Sequence, residues 1–243
     1  MISHRIIGVA LLLVAVNAGA VDVRLYTEHY PPFSIETETG VSGINTALLR
    51  QSFEDLGLTA SFQVESWARA QASSLRFDNA CLYSAARTEE RETLYQWVGP
   101  LTREHVSLFR LHDRDIRITS LSDAGQFRVG GQQRDFYTEW MIDQGIEVDA
   151  ISGDASNVER LLRGRIDLWI AGSIGGPYMA AFEHDALVTS VYQAEEVMEL
   201  WLACSRGVPP MYIKDLNERI DQYREDGTLT SIQSGYLTTP ERP

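Results

Sequence analysis

Apolar residues along the chain follow two spacings in turn, one typical of β-strands and one typical of α-helices. The strand spacing occurs at residues 21–25, 61–65 and 80–85, and helical spacing lies between them, at 44–56 and 68–75. A strand–helix order that repeats in this way is typical of parallel strands joined by crossover helices. The first part of the chain is therefore predicted to form an α/β unit.

The same pattern restarts near residue 106. The elements predicted there are, in order, strand 106–111, a helix start at 120–123, strand 127–130, helix 135–144, strand 147–151, helix 156–163, strand 166–171, strand 197–204, a helix around 216–220 and a terminal turn at 231–236. No tract rich in Pro, Gly or Ser separates the two halves. We therefore expect ordered strands to connect them.

The start of the chain predicts a cleavable secretion signal. His4 and Arg5 precede the apolar residues 6–16, and an A-x-A site ending at Ala20 indicates cleavage after that residue. The apolar run is shorter than the roughly 20 residues that span a bilayer, and an uncleaved membrane anchor is the alternative. Because residue 21 is Val21 and not cysteine, we expect no lipid attachment, and we expect a periplasmic location.

Length and charge narrow the classes of partner. The chain has 243 residues, enough for one large domain or for two lobes of about 100 residues each. Its net charge of −13 argues against nucleic acid and against anionic membranes. The five histidines lack the spacing of a metal site, so we expect no metal and no cofactor.

Two cysteines, Cys81 and Cys204, lie beyond the predicted signal. In an oxidising compartment an even pair indicates a disulfide, and two buried free thiols are the alternative.

Ligands of open α/β sheets bind beyond the carboxyl ends of the strands. Tyr30, Trp67 and Arg87 follow the first three predicted strands and are therefore candidate site residues. The two aromatic rings could form a flat apolar slot with a polar edge. Both rings could instead belong to the core.

Several short motifs resemble, in order, those of one family. They are Tyr30-Pro31-Pro32-Phe33, Gly43-Ile44-Asn45, Trp67, Ala86-Arg87-Thr88-Glu89-Glu90-Arg91, Trp97-Val98-Gly99-Pro100, Gly164-Arg165-Ile166-Asp167-Leu168 and Asp226-Gly227-Thr228-Leu229. The chain resembles a bacterial extracellular solute-binding protein of family 3, the polar amino acid type. This resemblance implies the type II periplasmic binding protein fold, with two α/β lobes, each a mostly parallel sheet flanked by helices.

The resemblance also implies where the lobes begin and end. Lobe 1 would comprise residues 21–102 and 199–243, and lobe 2 residues 103–198. Two crossover strands, near 102–106 and 194–199, would form the hinge on which the lobes close. In the implied topology the strand that carries Cys81 and the strand that carries Cys204 are antiparallel neighbours, so the two cysteines could form a disulfide.

Arg91 corresponds to the family arginine that clamps a ligand carboxylate, and Arg87 could assist it. An ion pair of these arginines with a neighbouring acid (Glu89, Glu90 or Glu92) is the alternative. The resemblance places Tyr30 and Trp67 on either side of the ligand.

The second lobe departs from the family pattern. Gly172 stands where amino acid receptors carry the aspartate that pairs with the ligand ammonium. Gln132 and Arg134 lie in the loop that could reach the ligand, Asp135 is a candidate N-cap, and Glu28 could supply a negative group. A carboxylate or another anion therefore fits these charges better than an α-amino acid.

The function implied is that of a monomeric receptor that captures a small polar, carboxylate-bearing ligand and delivers it to the permease of an ABC transporter. A ligand sensor that serves a signalling partner is one alternative. A periplasmic dehydratase-like enzyme on the same fold, with Glu28 as its catalytic carboxylate, is another.

Overall fold

A computed structural model gives the fold of residues 22–238, the part of the chain that the structure describes. The predicted signal peptide, residues 1–20, lies outside these residues. The strands are Val23–Thr27 (β1), Ile35–Thr37 (β2), Gly40–Ser42 (β3), Ala60–Val64 (β4), Ala80–Ala86 (β5), Gln96–Leu111 (β6), Val129–Gln132 (β7), Val148–Ile151 (β8), Leu168–Gly172 (β9) and Val188–Cys204 (β10). The helices are Ile44–Asp55 (α1), Trp67–Arg76 (α2), Glu89–Glu92 (α3), Phe136–Asp143 (α4), Ala155–Leu162 (α5), Gly175–His184 (α6), Pro210–Glu225 (α7) and Thr228–Thr238 (α8), with a 3₁₀ helix at Leu121–Gln126.

Eight strands form one continuous ladder in the order β4-β1-β5-β10-β6-β9-β7-β8. At one end β4, β1 and β5 are parallel, and at the other end β9, β7 and β8 are parallel. The two central strands run antiparallel to their neighbours. The predicted fold class, two α/β lobes joined by two crossover strands, is confirmed.

The central strands β6 and β10 contain 16 and 17 residues, about three times the usual strand length. β10 pairs with β5 of the first lobe, β6 pairs with β9 of the second, and the two central strands pair with each other along most of their length. Their register sets Arg103 opposite Glu199 and His105 opposite Val197, so the two segments predicted as the hinge lie side by side. The lobe limits, 21–102 with 199–243 and 103–198, stay a prediction.

Both crossover strands are longer than the sequence pattern predicted. β6 includes Pro100, although proline cannot donate a ladder hydrogen bond. In the first lobe, however, β6 is the edge strand and pairs only with β10. The register between them shifts near Leu200 and Leu202, opposite Pro100, so no bond is required there.

Helix α6 was not predicted, because its sequence begins Gly175-Gly176-Pro177. Proline is tolerated in the first turn of a helix, where its missing N–H costs no intrahelical bond. Gly176 is needed for packing, since a Cβ there would lie 2.9 Å from the Phe109 ring. The predicted terminal turn at 231–236 is likewise longer than expected and forms α8.

The disulfide is present between Cys81 and Cys204. These residues lie directly opposite each other on β5 and β10, and both are fully buried. The bond therefore ties the last strand of the crossover pair to the centre of the first lobe. Across residues 22–238, no helix combines the length and the apolar character needed to cross a membrane.

Candidate functional site

The lobes meet along a cleft at the carboxyl ends of the strands, and a cavity lies between them. Its lining residues, which come from both lobes, are Glu28, Tyr30, Trp67, Ser84, Ala86, Arg91, Gln132, Asp135, Phe136, Tyr137, Asp154, Met198 and Leu200. The cavity measures about 20 Å³, roughly the space that one water molecule needs. The lobes are therefore closed on each other.

A larger chamber of about 640 Å³ lies outside this cavity. The two spaces share four residues, Glu28, Trp67, Gln132 and Asp154. The chamber is lined by residues of both lobes and adjoins the inner cavity.

Tyr30 and Trp67, predicted from their places after strands, line the cavity and are 8% and 6% exposed. Both contact the opposite lobe: Trp67 Nε1 donates to the carbonyl oxygen of Arg134 at 2.7 Å, and the Tyr30 ring lies against Gly175. Each also belongs to a buried apolar cluster. The two roles considered from the sequence, cleft wall and core, are thus combined in both side chains.

Arg91 is 5% exposed and lines the cavity. Its guanidinium lies 5.2 Å from the centre of the Trp67 ring, and Nη1 donates to the carbonyl oxygen of Ala86 at 3.2 Å. Among the described residues none forms an ion pair with Arg91, although its charge lowers the pKa of the nearby Asp135 and Glu139.

Arg87 lies outside the cavity. It donates from Nε and Nη2 to the two oxygens of Glu92, at 2.7 and 2.6 Å, and its guanidinium covers the rings of Trp97 and Trp201. Arg87 therefore forms the ion pair with a neighbouring acid that the sequence analysis gave as the alternative to ligand binding. The position of Arg87 gives no support to a role in ligand binding.

Three carboxyl groups reach the cavity from separate loops: Glu28 after β1, Asp135 before α4 and Asp154 after β8. Burial is the main cause of a raised pKa in each, and repulsion from neighbouring carboxylates adds to it. The pKa of Asp135 is raised to about 8, that of Asp154 to about 6, and that of Glu28 well above its ordinary value. Asp135 also caps α4, as expected, by accepting from Tyr137 N at 3.2 Å.

The loop after β7 contributes Gln132 to both spaces and Arg134 to the outer chamber. Gln132 is 3% exposed, and its Nε2 donates to Glu28 Oε2 across the cleft at 2.6 Å. Its Oε1 is buried and has no hydrogen-bond partner among the described residues. Arg134 has a positive φ of 59°, which turns the chain sharply between β7 and α4.

Gly172 lies at the end of β9, and the carboxylate of Glu104 occupies the space beside it. A Cβ at residue 172 would lie 2.2 Å from Cδ and from both oxygens of Glu104. An acid is thus present at this place, but it comes from the crossover strand β6 instead of β9. Gly172 itself leaves room for this carboxylate and does not line the cavity.

The sequence analysis missed Asp154 and Glu104 as members of this region. Asp154 follows strand β8, so the rule that identified Tyr30 and Trp67 could have found it. Glu104 lies inside a strand, and its position at the site depends on the pairing of β6 with β9. No sequence signal marks it. Among residues 22–238, no cluster of three His, Cys, Asp or Glu side chains could hold a metal ion.

Several solved structures share the fold of this chain. A histidine kinase sensor domain with similarity to periplasmic binding proteins superposes with a TM-score of 0.81 at 18% identity, covering 90% of this chain and 96% of that one. The P235GK mutant of ArgBP from T. maritima gives 0.78 at 15% identity, with 89% and 95% covered. An arginine 3rd transport system periplasmic binding protein from Legionella pneumophila gives 0.79 at 14% identity, with 89% and 100% covered.

At these identities the superpositions show a common fold and nothing finer. A comparison with curated protein sequences gave no significant match. The family model for bacterial extracellular solute-binding proteins, family 3, matches residues 23–239, which is nearly the whole of the described chain. The protein therefore belongs to the bacterial extracellular solute-binding proteins of family 3.

Proposed function

We propose that the protein is a periplasmic receptor that captures a small ligand bearing both a carboxylate and a protonated nitrogen, an amino acid or a related compound, and delivers it to an ABC transporter. The observation that carries this proposal is the composition of one cavity. It holds a buried arginine, Arg91, that forms no ion pair with a described residue, together with three carboxyl groups whose pKa values are raised by burial and repulsion.

The arginine favours a carboxylate on the ligand. A guanidinium has five N–H donors in a fixed plane and binds a carboxylate through two parallel hydrogen bonds. Arg91 uses one nitrogen on a backbone carbonyl and rests on the Trp67 ring, which fixes the guanidinium plane. A ligand carboxylate would form the direct ion pair that Arg91 lacks among the described residues.

The carboxyl groups favour a cation on the same ligand. Asp135 and Asp154 both raise the pKa of Glu28, and Asp154 raises that of Asp135, so a cation between the three groups would stabilise their ionised forms. The unpaired Oε1 of Gln132 would accept a hydrogen bond from the same group. The sequence argued against an amino acid because Gly172 replaces the aspartate that pairs with the ligand ammonium. Glu28, Asp135 and Asp154 supply acidic groups in its place. The ligand we propose therefore carries a positive charge as well as a negative one.

The volume of the cavity requires lobe movement. About 20 Å³ does not hold an amino acid, so the ligand must enter while the lobes are apart and must hold them somewhat farther apart than they are here. Hinge closure about paired crossover strands is the movement that this architecture allows. The outer chamber of about 640 Å³ provides the path.

The similar structures support the proposal only through what those proteins are described as binding or doing. Two of those reported above are described as an arginine-binding and an arginine-transport protein. The histidine kinase sensor domain favours a second candidate, a receptor that reports its ligand to a signalling partner. Both candidates use the same cleft and differ only in the protein that docks on the closed lobes.

The test is a thermal-shift and calorimetric comparison of L-arginine, L-glutamine, succinate and putrescine with the purified mature protein. We expect compounds that combine a carboxylate with a protonated nitrogen to raise the melting temperature by mass action. Succinate and putrescine, which carry only one kind of charge, should have little effect. A shift with succinate as large as with either amino acid would contradict the proposed pairing of charges.

The variants Arg91→Ala and Arg87→Ala separate the two arginines. Removing one partner of a buried charge pair costs about 2–5 kcal/mol of binding free energy, so Arg91→Ala should weaken binding of the best compound at least about 30-fold. Arg87→Ala should change it less than about threefold, because Arg87 lies outside the cavity. Equal losses in the two variants would contradict the role of Arg91.

A further inference from the structure

A buried carboxylate lies on the crossover strand β6 and receives hydrogen bonds from both lobes. Glu104 is 2% exposed. Its Oε1 accepts from the hydroxyl groups of Tyr30 and Tyr137, both at 2.5 Å. Its Oε2 accepts from the backbone N–H groups of Ile174 and Gly175, at 3.0 and 3.1 Å. Four donors therefore use the whole acceptor capacity of one carboxylate.

The Glu104 carboxylate fits in this place because residue 172 is a glycine and has no side chain. A Cβ at residue 172 would lie 2.2 Å from the carboxylate carbon and from both oxygens, a distance that the structure could relieve only by moving the carboxylate. Strands β6 and β9 pair here, with Val106 opposite Gly172, so the backbone leaves no other room. The position of the Glu104 carboxylate thus depends on the glycine at residue 172.

The donors belong to parts of the molecule that separate when the lobes open. Tyr30 follows β1 in the first lobe, whereas Tyr137 in α4 and Gly175 at the start of α6 belong to the second. The Tyr30 ring fits against Gly175, where a Cβ would lie 2.8 Å from three of its atoms. The Tyr30 hydroxyl also lies 3.3 Å from that of Tyr137. In this closed arrangement Tyr30 brings the first lobe into contact with the second.

We propose that Glu104 is a positioning residue that holds Tyr30 against the second lobe and so stabilises the closed cleft before any ligand is bound. We call Glu104, Tyr30, Tyr137 and Gly172 the Glu104 latch. The latch fixes two rings, Tyr30 and Tyr137, that line the cavity. The carboxylate itself lies behind them and outside the cavity lining. It acts on a ligand only through these rings, and this part of the inference rests on the proposed function.

The latch can be tested without a ligand by measuring the distance between the lobes. Spin labels at Ala72→Cys in α2 and Gln144→Cys after α4, both exposed, report that distance by pulsed electron paramagnetic resonance. We expect the ligand-free protein to show mainly the short distance of the closed form. Tyr30→Phe removes one charge-assisted hydrogen bond and keeps the ring, so the ratio of closed to open molecules should fall about tenfold.

A second variant and a matched control keep the test independent of folding. Gly172→Ala displaces the Glu104 carboxylate and should also shift the population to the long distance. Tyr95→Phe removes another buried tyrosine hydroxyl, one that bonds Ser74 within the first lobe. It should lower the melting temperature to a similar extent and leave the distance between the lobes unchanged.

The outcomes separate this inference from the proposed function. A long distance in the ligand-free wild type, or a Tyr30→Phe variant that stays closed while it loses stability as Tyr95→Phe does, overturns the latch, whatever ligand binds. If the distances shift as expected while none of L-arginine, L-glutamine, succinate and putrescine binds, the latch is supported and the proposed charges of the ligand are wrong. In a protein that does bind L-arginine, Tyr30→Phe should also raise the dissociation rate about tenfold.

Discussion

The carboxyl groups of the cleft are the residues whose chemistry depends most on their surroundings. Asp135 caps a helix, which lowers its pKa, yet burial and the charge of Asp154 raise that pKa to about 8. Asp154 accepts two side-chain hydrogen bonds, and its pKa is still raised to about 6. Between a pH of about 4 and these raised pKa values, Asp135 and Asp154 therefore hold protons that the unfolded chain, with aspartate pKa values near 4, releases.

This difference predicts how stability changes with pH. Between pH of about 4 and about 8 the folded protein binds more protons than the unfolded chain, so the free energy of unfolding falls as the pH rises through this window. The melting temperature of the ligand-free protein should therefore decrease from pH 5 to pH 9. The decrease should be smaller in Asp135→Asn, which cannot ionise at that position, as thermal denaturation across the pH range will measure.

The control for this experiment is Asp113→Asn, which alters an exposed carboxyl group. Its pH profile should follow that of the wild type. A profile for Asp135→Asn that runs parallel to the wild type would show that Asp135 does not retain a proton in the folded state.

The same groups predict proton release when a cation binds. A cation stabilises the ionised carboxylates and lowers their pKa, so at pH 7 the protein should release part of a proton for each ligand bound, and affinity should rise from pH 6 to pH 8. Calorimetry of L-arginine binding in phosphate and in Tris will measure this, because the apparent enthalpies differ by the buffer's ionisation heat for each proton. Equal enthalpies in the two buffers would contradict cation binding at these acids.

At the scale of the elements, the pairing of β5 with β10 carries the main covalent constraint. Cys81 and Cys204 are 123 residues apart in sequence and directly opposite in the register. The intervening chain includes the whole second lobe. A cross-link of this span restricts the unfolded chain strongly, because the entropy lost on closing a loop grows with its length.

The double variant Cys81→Ala, Cys204→Ala should therefore lose about 4–5 kcal/mol of unfolding free energy. Denaturation by guanidinium chloride will measure the loss. Alanine avoids an unpaired hydroxyl at these fully buried positions. A reducing agent should destabilise the wild type and leave the double variant unaffected. A wild type that is equally stable with and without the reductant would contradict a stabilising role for the bond.

At the scale of the whole molecule, contacts between the lobes decide which conformation is populated. Besides the Glu104 latch, His29 of the first lobe contacts Glu183 of α6 at 2.5 Å. His29 Nδ1 accepts from the backbone N–H of Glu36 at 2.9 Å, so Nε2 carries the proton that is donated to Glu183. This contact closes the outer side of the cleft.

The variant Glu183→Ala should shift the lobes toward the open form. A hydrogen bond to a charged, partly buried group contributes about 1.5 kcal/mol, which corresponds to roughly a tenfold change in the ratio of closed to open molecules. Small-angle scattering should show a larger radius of gyration in the ligand-free variant. Glu159→Ala, which breaks an ion pair with Arg163 at the C-terminal end of α5, should leave the radius unchanged, and an equal change in both variants would contradict the role of Glu183.

The sequence can predict a site residue when its position at the end of a strand is enough to place it in the cleft. Tyr30, Trp67 and Asp154 follow strands, and parallel strands bring their carboxyl ends to one edge of the sheet, so local pattern is enough to place them. Arg87 also follows a strand, but its side chain turns away to Glu92 and two tryptophan rings. The direction of a long side chain depends on neighbours that the local pattern does not contain.

The resemblance to the family implied the two lobes, whereas the residues themselves determined most of the order of strands and helices, the α/β class, the cysteine pair and the strand ends from which the cleft is built. These follow from apolar spacing and residue type, which are local properties. Only the tertiary structure decided the position of Glu104 beside Gly172, the grouping of three acids around Arg91 and the contacts that join the lobes. Each depends on register and closure between segments far apart in the chain, and their energy comes from burial and from charges that meet only after folding.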